Sequence, residues 1–223
     1  RKVHKGKIKR ALLGKPRRII MLTLEKLKAM FALAAKVITE NEEYLSKLDA
    51  ACGDGDHGVA IKGAINAAND AIQAGTDLKS TLFDAGFAAM SHSNGSTSSI
   101  YGSLLMGVSD GIKDGAASLS AQELASAFKT GLDSMRSTVK GDVGDKTVFD
   151  ALIPAIEAMQ GANSVLEALE KASNAAKEGA QNTAKLQAKF GRARNLGEKS
   201  IGTLDPGAVS NSMIFEAFFN AYK

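Results

Sequence analysis

The sequence has little of what a disulfide-linked, β-rich or membrane-spanning protein needs. It contains one cysteine, three prolines and no tryptophan among 223 residues, and aromatic residues make up only 5%. The single cysteine, Cys52, excludes an internal disulfide and is compatible with a reducing compartment. No apolar run approaches the roughly 18 residues that cross a bilayer, and no signal-peptide core follows the basic N-terminus. We therefore expect a cytoplasmic protein that does not contact the membrane.

Alanine and leucine dominate instead, and this composition favours helices over strands. Apolar residues recur at helical spacing, and glycine or polar breaks separate the helical segments. We predict helices at 22–47, 58–74, 77–92, 97–116, 121–138, 147–160, 164–189 and 207–222. Two helix starts, 120–123 and 164–167, match the capping-box pattern. Because the connections are short, we expect an all-α fold of antiparallel helices, with any chemistry in the loops at one end.

Positive charge is concentrated at the N-terminus. Residues 1–18 hold nine lysines and arginines and no acid, which leaves 19 basic against 24 acidic side chains elsewhere, a net charge of −5. We therefore expect no nucleic-acid-binding function from the body of the chain. We assign residues 1–20 to a basic tail, either a linker or added or upstream residues ahead of a natural start at Met21, and residues 21–223 to one domain. The alternative is a tail that binds nucleic acid, anionic lipid or an acidic partner.

An acidic, glycine-rich loop follows the first predicted helix. Asp49, Asp54 and Asp56 lie close together in the segment 48–58, LDAACGDGDHG. Three like charges repel one another unless a cation neutralises them, and oxygen ligands favour Mg²⁺ or Ca²⁺ over zinc. The loop is no EF-hand, because Ile65 occupies the position of the bidentate glutamate. We favour a metal site; the alternative is a polar loop whose aspartates cap helices.

A serine-rich turn precedes the predicted helix 97–116. The segment 93–99, SNGSTSS, offers backbone N–H groups at a helix start, and the hydroxyls of Ser96 and Thr97 add donors. It lacks the Gly-Lys-Ser/Thr of a Walker A motif. These features fit a phosphate-binding turn, and they fit equally well a helix N-cap made of serines.

Two later loops also carry glycine and charged residues. Residues 141–147 have the sequence GDVGDKT, and residues 191–207 have the sequence GRARNLGEKSIGTLDPG. The second is too long for a simple connection in a compact domain. Its arginines, among them Arg192, have guanidinium groups suited to phosphate or base contacts. Asp205 is predicted to cap the last helix, which is compatible with a nucleotide contact.

Taken together, these loops resemble the nucleotide-binding (L) subunit or domain of the dihydroxyacetone kinase family. The resemblance covers about residues 22–222, and its motifs occur in the order found in that family. The matching segments are LDAACGDGDHG at 48–58, YG at 101–102, GDKT at 144–147, GRA at 191–193, LGEKSIG at 196–202 and DPGA at 205–208.

The resemblance implies an eight-helix antiparallel barrel that binds ADP or ATP and two Mg²⁺ ions in the loops at one end. It assigns the metal ligands to Asp49, Asp54 and Asp56. The nucleotide contacts that it implies are His57, Ser96, Thr97, Arg192, Asp205, Pro206 and Gly207.

The sequence departs from the usual family pattern around the nucleotide but not at the metal ligands. Residues 94–99 stand where the family usually has GG(A/T)SGP, and Ala60 stands where many members have asparagine. Val148 and Asn195 replace a methionine and a tyrosine. These changes bear on nucleotide affinity and exchange.

By the same resemblance, the chain is the nucleotide-carrying component of a ketose or triose kinase, active only with a partner subunit or domain that holds the sugar. The phosphoryl source is either ATP or a phosphotransferase-system protein that rephosphorylates bound ADP. Nothing in the sequence names the sugar, and a homo-oligomer stays open. The alternative function is a non-catalytic regulatory protein that uses the same barrel to bind a transcription factor or another partner.

Overall fold

The computed structural model describes residues 21–93 and 95–223 of the chain. The tail assigned to residues 1–20 lies outside the described residues, so the division into tail and domain stays a prediction. The described α-helices are α1 (Leu24–Glu40), α2 (Glu42–Ala50), α3 (His57–Ala74), α4 (Leu78–His92), α5 (Ser96–Asp110), α6 (Ala121–Thr138), α7 (Phe149–Ala158), α8 (Val165–Asn182) and α9 (Pro206–Tyr222). Two 3₁₀ stretches, Thr183–Lys185 and Arg192–Ser200, lie between α8 and α9.

Eight of the described helices form a closed ring. Each helix from α3 to α9 packs against the next one in the chain, α9 packs against α1, and α1 packs against α3. Consecutive helices run antiparallel: Gly86 of α4 lies against Met106 of α5, whereas Met90, one turn later, lies against Gly102, one turn earlier. The predicted all-α barrel is therefore confirmed.

The first predicted helix, 22–47, is two helices in the structure. Asn41 separates them, and its side-chain amide donates to the Val37 carbonyl at 2.8 Å. An asparagine that bonds a carbonyl of the preceding turn competes with continuation of the helix. Helix α2 then lies across the first turn of α3, where a Cβ atom at Gly58 would overlap the Glu42 carbonyl and the Ser46 side chain. The ring keeps eight helices because α2 stands outside it.

Two other predicted helices end earlier than expected. Helix α5 ends at Asp110 instead of 116, and α8 ends at Asn182 instead of 189. Beyond α8 the chain tightens into the first 3₁₀ stretch, where the Thr183 hydroxyl accepts a hydrogen bond from the Asp205 N–H at 2.9 Å. This contact with a distant segment redirects the chain, and helical periodicity in the sequence gives no sign of it.

Of the two capping boxes predicted from the sequence, the structure confirms one and corrects the other. The box at 120–123 is complete. In the box at 164–167 the serine caps as predicted, but the glutamate carboxylate accepts from the N–H of Asn163 instead of that of the N-cap residue. No strand was expected, yet Leu22–Thr23 (β1) pairs antiparallel with Ser118–Leu119 (β2). Two residues are too few to show an alternating pattern.

Apolar side chains from every helix of the ring fill its interior. Aromatic rings lie at the centre: the Phe31 and Phe218 centroids are 5.0 Å apart, and those of Phe128 and Phe215 are 5.9 Å apart. Burial of such rings contributes a large part of the hydrophobic stabilisation. Among the described helices, none combines the length and the apolar character that crossing a bilayer requires.

The up-and-down order places alternate connections at the same end of the ring. We call one end the loop end; it carries loops 51–56 and 139–148, the turn before Ser96, and the segment 183–205. We call the other the closed end; it carries the connections 75–77, 111–120 and 159–164. The four glycine-rich or polar breaks found in the sequence therefore meet at the loop end.

Candidate metal and nucleotide site

Three carboxylates converge between α2 and α3, in residues 49–56, which we call the acidic loop. Asp49 lies in the last turn of α2, Asp54 lies in the loop, and Asp56 directly precedes α3. One oxygen from each carboxylate lies within 4.8 Å of the others, and Asp54 and Asp56 are exposed. Three oxygen ligands at this separation suit a hard divalent cation such as Mg²⁺.

Backbone geometry brings these aspartates together. Asp49 Oδ2 accepts hydrogen bonds from the N–H groups of Asp56 at 3.0 Å and His57 at 3.3 Å. Gly55 has a φ of 79°, which residues with a side chain rarely adopt. A Cβ atom at Gly53 would overlap the Asp49 carboxylate. Asp49 thus accepts with one oxygen from the N–H groups at the start of α3, as the capping alternative predicts, while its role as a metal ligand stays a prediction.

A cation from the protein itself contacts this cluster. The Arg192 guanidinium, from the second 3₁₀ stretch, forms an ion pair with the Asp54 carboxylate. A guanidinium in this position shows that the cluster accommodates a positive charge. The oxygen-only donor set and this stand-in cation both fit a bound Mg²⁺ ion.

His57 connects the acidic loop to the start of α9. Its Nε2 lies 3.0 Å from Ser210 Oγ. Because the Ser210 hydroxyl donates to the Gly207 carbonyl at 3.0 Å, its oxygen accepts from His57. Burial lowers the pKa of the His57 imidazole, and the Asp49 charge offsets this only in part. The imidazole therefore links α3 to α9, and a contact of His57 with nucleotide stays a prediction.

The serine-rich turn lies at the same end of the ring. Gly95 precedes α5 and has no side chain that can cap the first-turn N–H groups. Ser96 is exposed and Thr97 is partly exposed. Ser98 is buried, and its hydroxyl lies 2.9 Å from that of Ser93. A helix start with exposed hydroxyls and no cap from its N-cap residue suits an anion such as phosphate.

The start of α9 has the predicted cap. The Asp205 carboxylate accepts from the N–H of Ala208 at 2.7 Å, and Pro206 occupies the first turn, followed by Gly207. Burial raises the pKa of Asp205 to about 7, and the nearby Asp150 carboxylate adds to the increase. The cap is confirmed, while contacts of residues 205–207 with nucleotide stay predictions.

Two residues that organise the loop end were not singled out in the sequence. Ser210, which positions His57, is one polar residue within a helical pattern. Lys146 belongs to the GDKT segment, yet it is buried and donates to the carbonyls of Thr183 and Thr203. A lysine in a glycine-rich loop is usually expected to be solvent-exposed. Only its position in the GDKT motif could have indicated that Lys146 has a structural role.

Residues 51–220 match the sequence model of a known family, the DAK2 domain. The chain belongs to the DAK2 domain family. This match spans most of the barrel and includes two of the three aspartates together with the serine-rich turn and the late loop. The predicted membership of the dihydroxyacetone kinase family is confirmed.

Relatives of this DAK2 domain include whole kinases and separate subunits. L-erythrulose 1-kinase of Mycolicibacterium smegmatis is 35% identical over 188 residues, which are 82% of this chain and 33% of that protein. The ADP-binding subunit DhaL of the PEP-dependent dihydroxyacetone kinase of Escherichia coli is 33% identical over 180 residues, 78% of this chain and 85% of the subunit. The chain thus spans about a third of the first relative and most of the second.

Two solved structures share the fold of this DAK2 domain. The dihydroxyacetone kinase from C. freundii in complex with AMP-PNP and Mg²⁺ has a TM-score of 0.70 and 22% identity, covering 99% of this chain and 38% of that one. Its native form has a TM-score of 0.68 and 26% identity, with the same coverage. The barrel architecture is therefore shared over nearly the whole chain.

Proposed function

We propose that this chain is the nucleotide-binding component of a dihydroxyacetone-type kinase. It binds ADP or ATP together with two Mg²⁺ ions, and a separate subunit or domain holds the ketose or triose that is phosphorylated. The observation that carries this proposal is the cluster of Asp49, Asp54 and Asp56 at the loop end of a DAK2 barrel. Relatives named as ADP-binding kinase subunits support the same assignment.

The groups around the cluster have distinct tasks in this proposal. The three aspartates hold Mg²⁺, which when bound supplies positive charge that neutralises the nucleotide phosphates. The first-turn N–H groups of α5, with the hydroxyls of Ser96 and Thr97, bind phosphate oxygens. The Arg192 guanidinium, beside Asp54, would pair with a phosphate of the bound nucleotide. The remaining proposed nucleotide contacts are His57, Asp205, Pro206 and Gly207.

The loop end also carries an apolar surface for the sugar-holding partner. Large apolar side chains in or beside its loops are exposed, namely Val59, Val143, Phe190, Leu196 and Ile201. Exposed apolar side chains at the loop end support contact with a partner there. A partner that covers this face excludes water from the transferring phosphoryl group and orients the acceptor hydroxyl.

The phosphoryl source distinguishes two versions of this function. Relatives include a PEP-dependent kinase subunit from Escherichia coli and a PTS-dependent one from Lactococcus lactis. The kinase assay should therefore compare ATP with a phosphoprotein as the phosphoryl donor. A purely regulatory role for the barrel is less well supported, because binding a transcription factor does not require three converging metal ligands.

The purified chain tests this function in two steps. Calorimetry should show ADP binding that depends on Mg²⁺, and bound nucleotide should raise the melting temperature. With ATP and dihydroxyacetone, the chain alone should form no sugar phosphate, and transfer should begin when the cognate substrate-binding subunit is added. Steady sugar phosphorylation by the chain alone, or nucleotide binding that is insensitive to Mg²⁺, contradicts the proposal.

A further inference from the structure

Lys146 is a buried charged residue that the proposed phosphoryl transfer does not use. Only 3% of its surface is exposed, and lysine is rarely buried without partners. Its φ is 58°, and among residues 21–93 and 95–223 it has the only positive φ outside glycine. Side chains disfavour this backbone conformation. A buried ammonium on an unfavourable backbone implies strong compensating contacts.

The Lys146 ammonium joins two parts of the chain that are far apart in sequence. It donates to the carbonyl of Thr183 at 2.7 Å and also to the carbonyl of Thr203. Thr183 follows α8 and Thr203 comes shortly before α9. The ammonium therefore closes the base of residues 184–202, which we call the late segment.

Further contacts fasten the late segment to the same loop. The Asp145 carbonyl accepts from the N–H of Lys189 at 3.1 Å, and the Asp145 carboxylate accepts from the Lys189 ammonium at 2.8 Å. At the base of the segment, the Gly202 N–H donates to the Ala184 carbonyl at 2.8 Å. Lys146 is the buried charged residue of this set, and its ammonium contacts the residue before the late segment and the residue after it.

The late segment and Thr203, the residue that follows it, contact the acidic loop at two points. Arg192 forms its ion pair with Asp54, and Thr203 Oγ1 lies 2.9 Å from Cys52 Sγ. The placement of the Arg192 guanidinium relative to the carboxylates therefore depends on how the base of the late segment is held.

We propose that Lys146 is a positioning residue: by joining both ends of the late segment, it holds Arg192 where the guanidinium meets a nucleotide phosphate beside the three carboxylates. The inference rests on the proposed nucleotide-binding function. It adds a residue that touches neither nucleotide nor metal and acts through Arg192.

The test compares Lys146→Met with the wild-type chain. Removing the ammonium should weaken Mg²⁺-dependent ADP binding at least tenfold in calorimetry, because Arg192 is no longer held. Binding of Mn²⁺ alone should change less than threefold, since the aspartates remain. Hydrogen exchange should accelerate within residues 184–204 and stay unchanged in α4 and α5. A merely structural role for Lys146 would not separate nucleotide binding from metal binding.

The matched control is Lys185→Met, which removes an exposed ammonium from the same segment and should leave ADP affinity within twofold of wild type. In a double variant with Arg192→Ala, the Lys146→Met loss should not add to the Arg192→Ala loss. If Lys146→Met does not fold, Lys146→Gln, which keeps a neutral donor, is measured instead and should show the same direction of change.

The inference is overturned if the folded Lys146 variant binds ADP within twofold of wild type, if metal affinity falls by the same factor as ADP affinity, or if the losses at Lys146 and Arg192 add fully. If the wild-type chain itself fails to bind ADP, the proposed function is wrong. In that case hydrogen exchange still tests whether Lys146 anchors the late segment. If exchange in residues 184–204 is the same in Lys146→Met and wild type, Lys146 does not anchor the segment.

Discussion

The two ends of the barrel start their helices in different ways. At the closed end, each helix is capped by the side chain of its own N-cap residue, in α1, α4, α6 and α8. At the loop end, the N-cap residues of α3, α5 and α7 make no side-chain capping bond, and only Asp205 of α9 does. At the loop end, α3 is capped by Asp49 of the preceding helix and the Phe149 N–H of α7 donates to the Thr147 hydroxyl, whereas the N-cap of α5 is Gly95, which has no side chain to do so.

This difference suggests that helix starts at the closed end contribute mainly to stability and that helix starts at the loop end contribute to ligand binding. Side-chain caps stabilise a helix because they satisfy N–H groups that the helix itself leaves unpaired. A capped N-terminus, however, offers fewer donors to an anion. We infer that the start of α5 has lower local stability than the capped helix starts and that its N–H groups serve phosphate binding.

The largest effect is expected where α2 crosses α3 at the loop end. In Gly58→Ala, the added Cβ would overlap the Glu42 carbonyl, so the free energy of unfolding should fall by about 1–3 kcal/mol. Urea unfolding measures this change. The control is Gly115→Ala at the closed end, where the added atom meets nothing within 4 Å and only the φ of 73° is unfavourable. Equal losses in both variants would show that the α2–α3 contact is not tight.

The next effect concerns the carboxylate cluster. Asp54→Asn or Asp56→Asn removes a negative oxygen ligand and should weaken Mg²⁺-dependent ADP binding at least tenfold, about 1.4 kcal/mol or more. Titration calorimetry measures the affinity. Asp114→Asn, an exposed aspartate at the closed end, should bind as the wild type does. If both variants bound ADP with wild-type affinity, the assignment of Asp54 and Asp56 as metal ligands would be wrong.

A closed-end cap should matter for stability alone. Ser120→Ala breaks the complete capping box of α6 and should lower the free energy of unfolding by about 1 kcal/mol. Nucleotide affinity should stay within twofold of wild type, because α6 starts at the end away from the acidic loop. A loss of affinity comparable to that of Asp54→Asn would break the separation between the two ends.

The loop end should also show its own pH dependence. Burial raises the pKa of Asp205 in the folded chain to about 7, against a usual value of 3.8. Since the folded state binds this proton more tightly, its contribution to stability is greatest below about pH 4 and is lost as pH rises towards about 7. Asp205→Asn keeps a capping side chain and should flatten this part of the curve. Urea unfolding in a chelator across that range tests it, and an unchanged slope would contradict the assignment.

The smallest effect comes from adding a cap where the loop end has none. Gly95→Ser introduces a hydroxyl at the start of α5 with no close contact, its Cβ lying 3.4 Å from Ser93 Oγ. The free energy of unfolding should rise by a few tenths of a kcal/mol, while ADP affinity should fall about twofold as the hydroxyl occupies an N–H group. Thermal unfolding and calorimetry measure the two. If the free energy of unfolding and the ADP affinity both rose, the inference that the uncapped start of α5 favours binding over stability would be contradicted.

Sequence analysis succeeded where the controlling contacts are local. The acidic loop was predictable because Asp49, Asp54 and Asp56 are neighbours in the chain and glycines surround them. The break at Asn41 was missed because an apolar stripe continues through it, whereas in the structure the Asn41 side chain bonds back to the Val37 carbonyl where α1 ends. The early end of α8 was missed for a related reason, since Thr183 bonds to a residue in another segment.

The sequence by itself determined the helices and the three-aspartate loop, because helical period and short-range charge repulsion act between residues close in the chain. Only the tertiary structure decided that four loops meet at one end, that Arg192 faces Asp54, and that Lys146 is buried between Thr183 and Thr203. Those contacts join distant segments, and they exist because closing eight helices into a ring fixes which helix ends lie side by side.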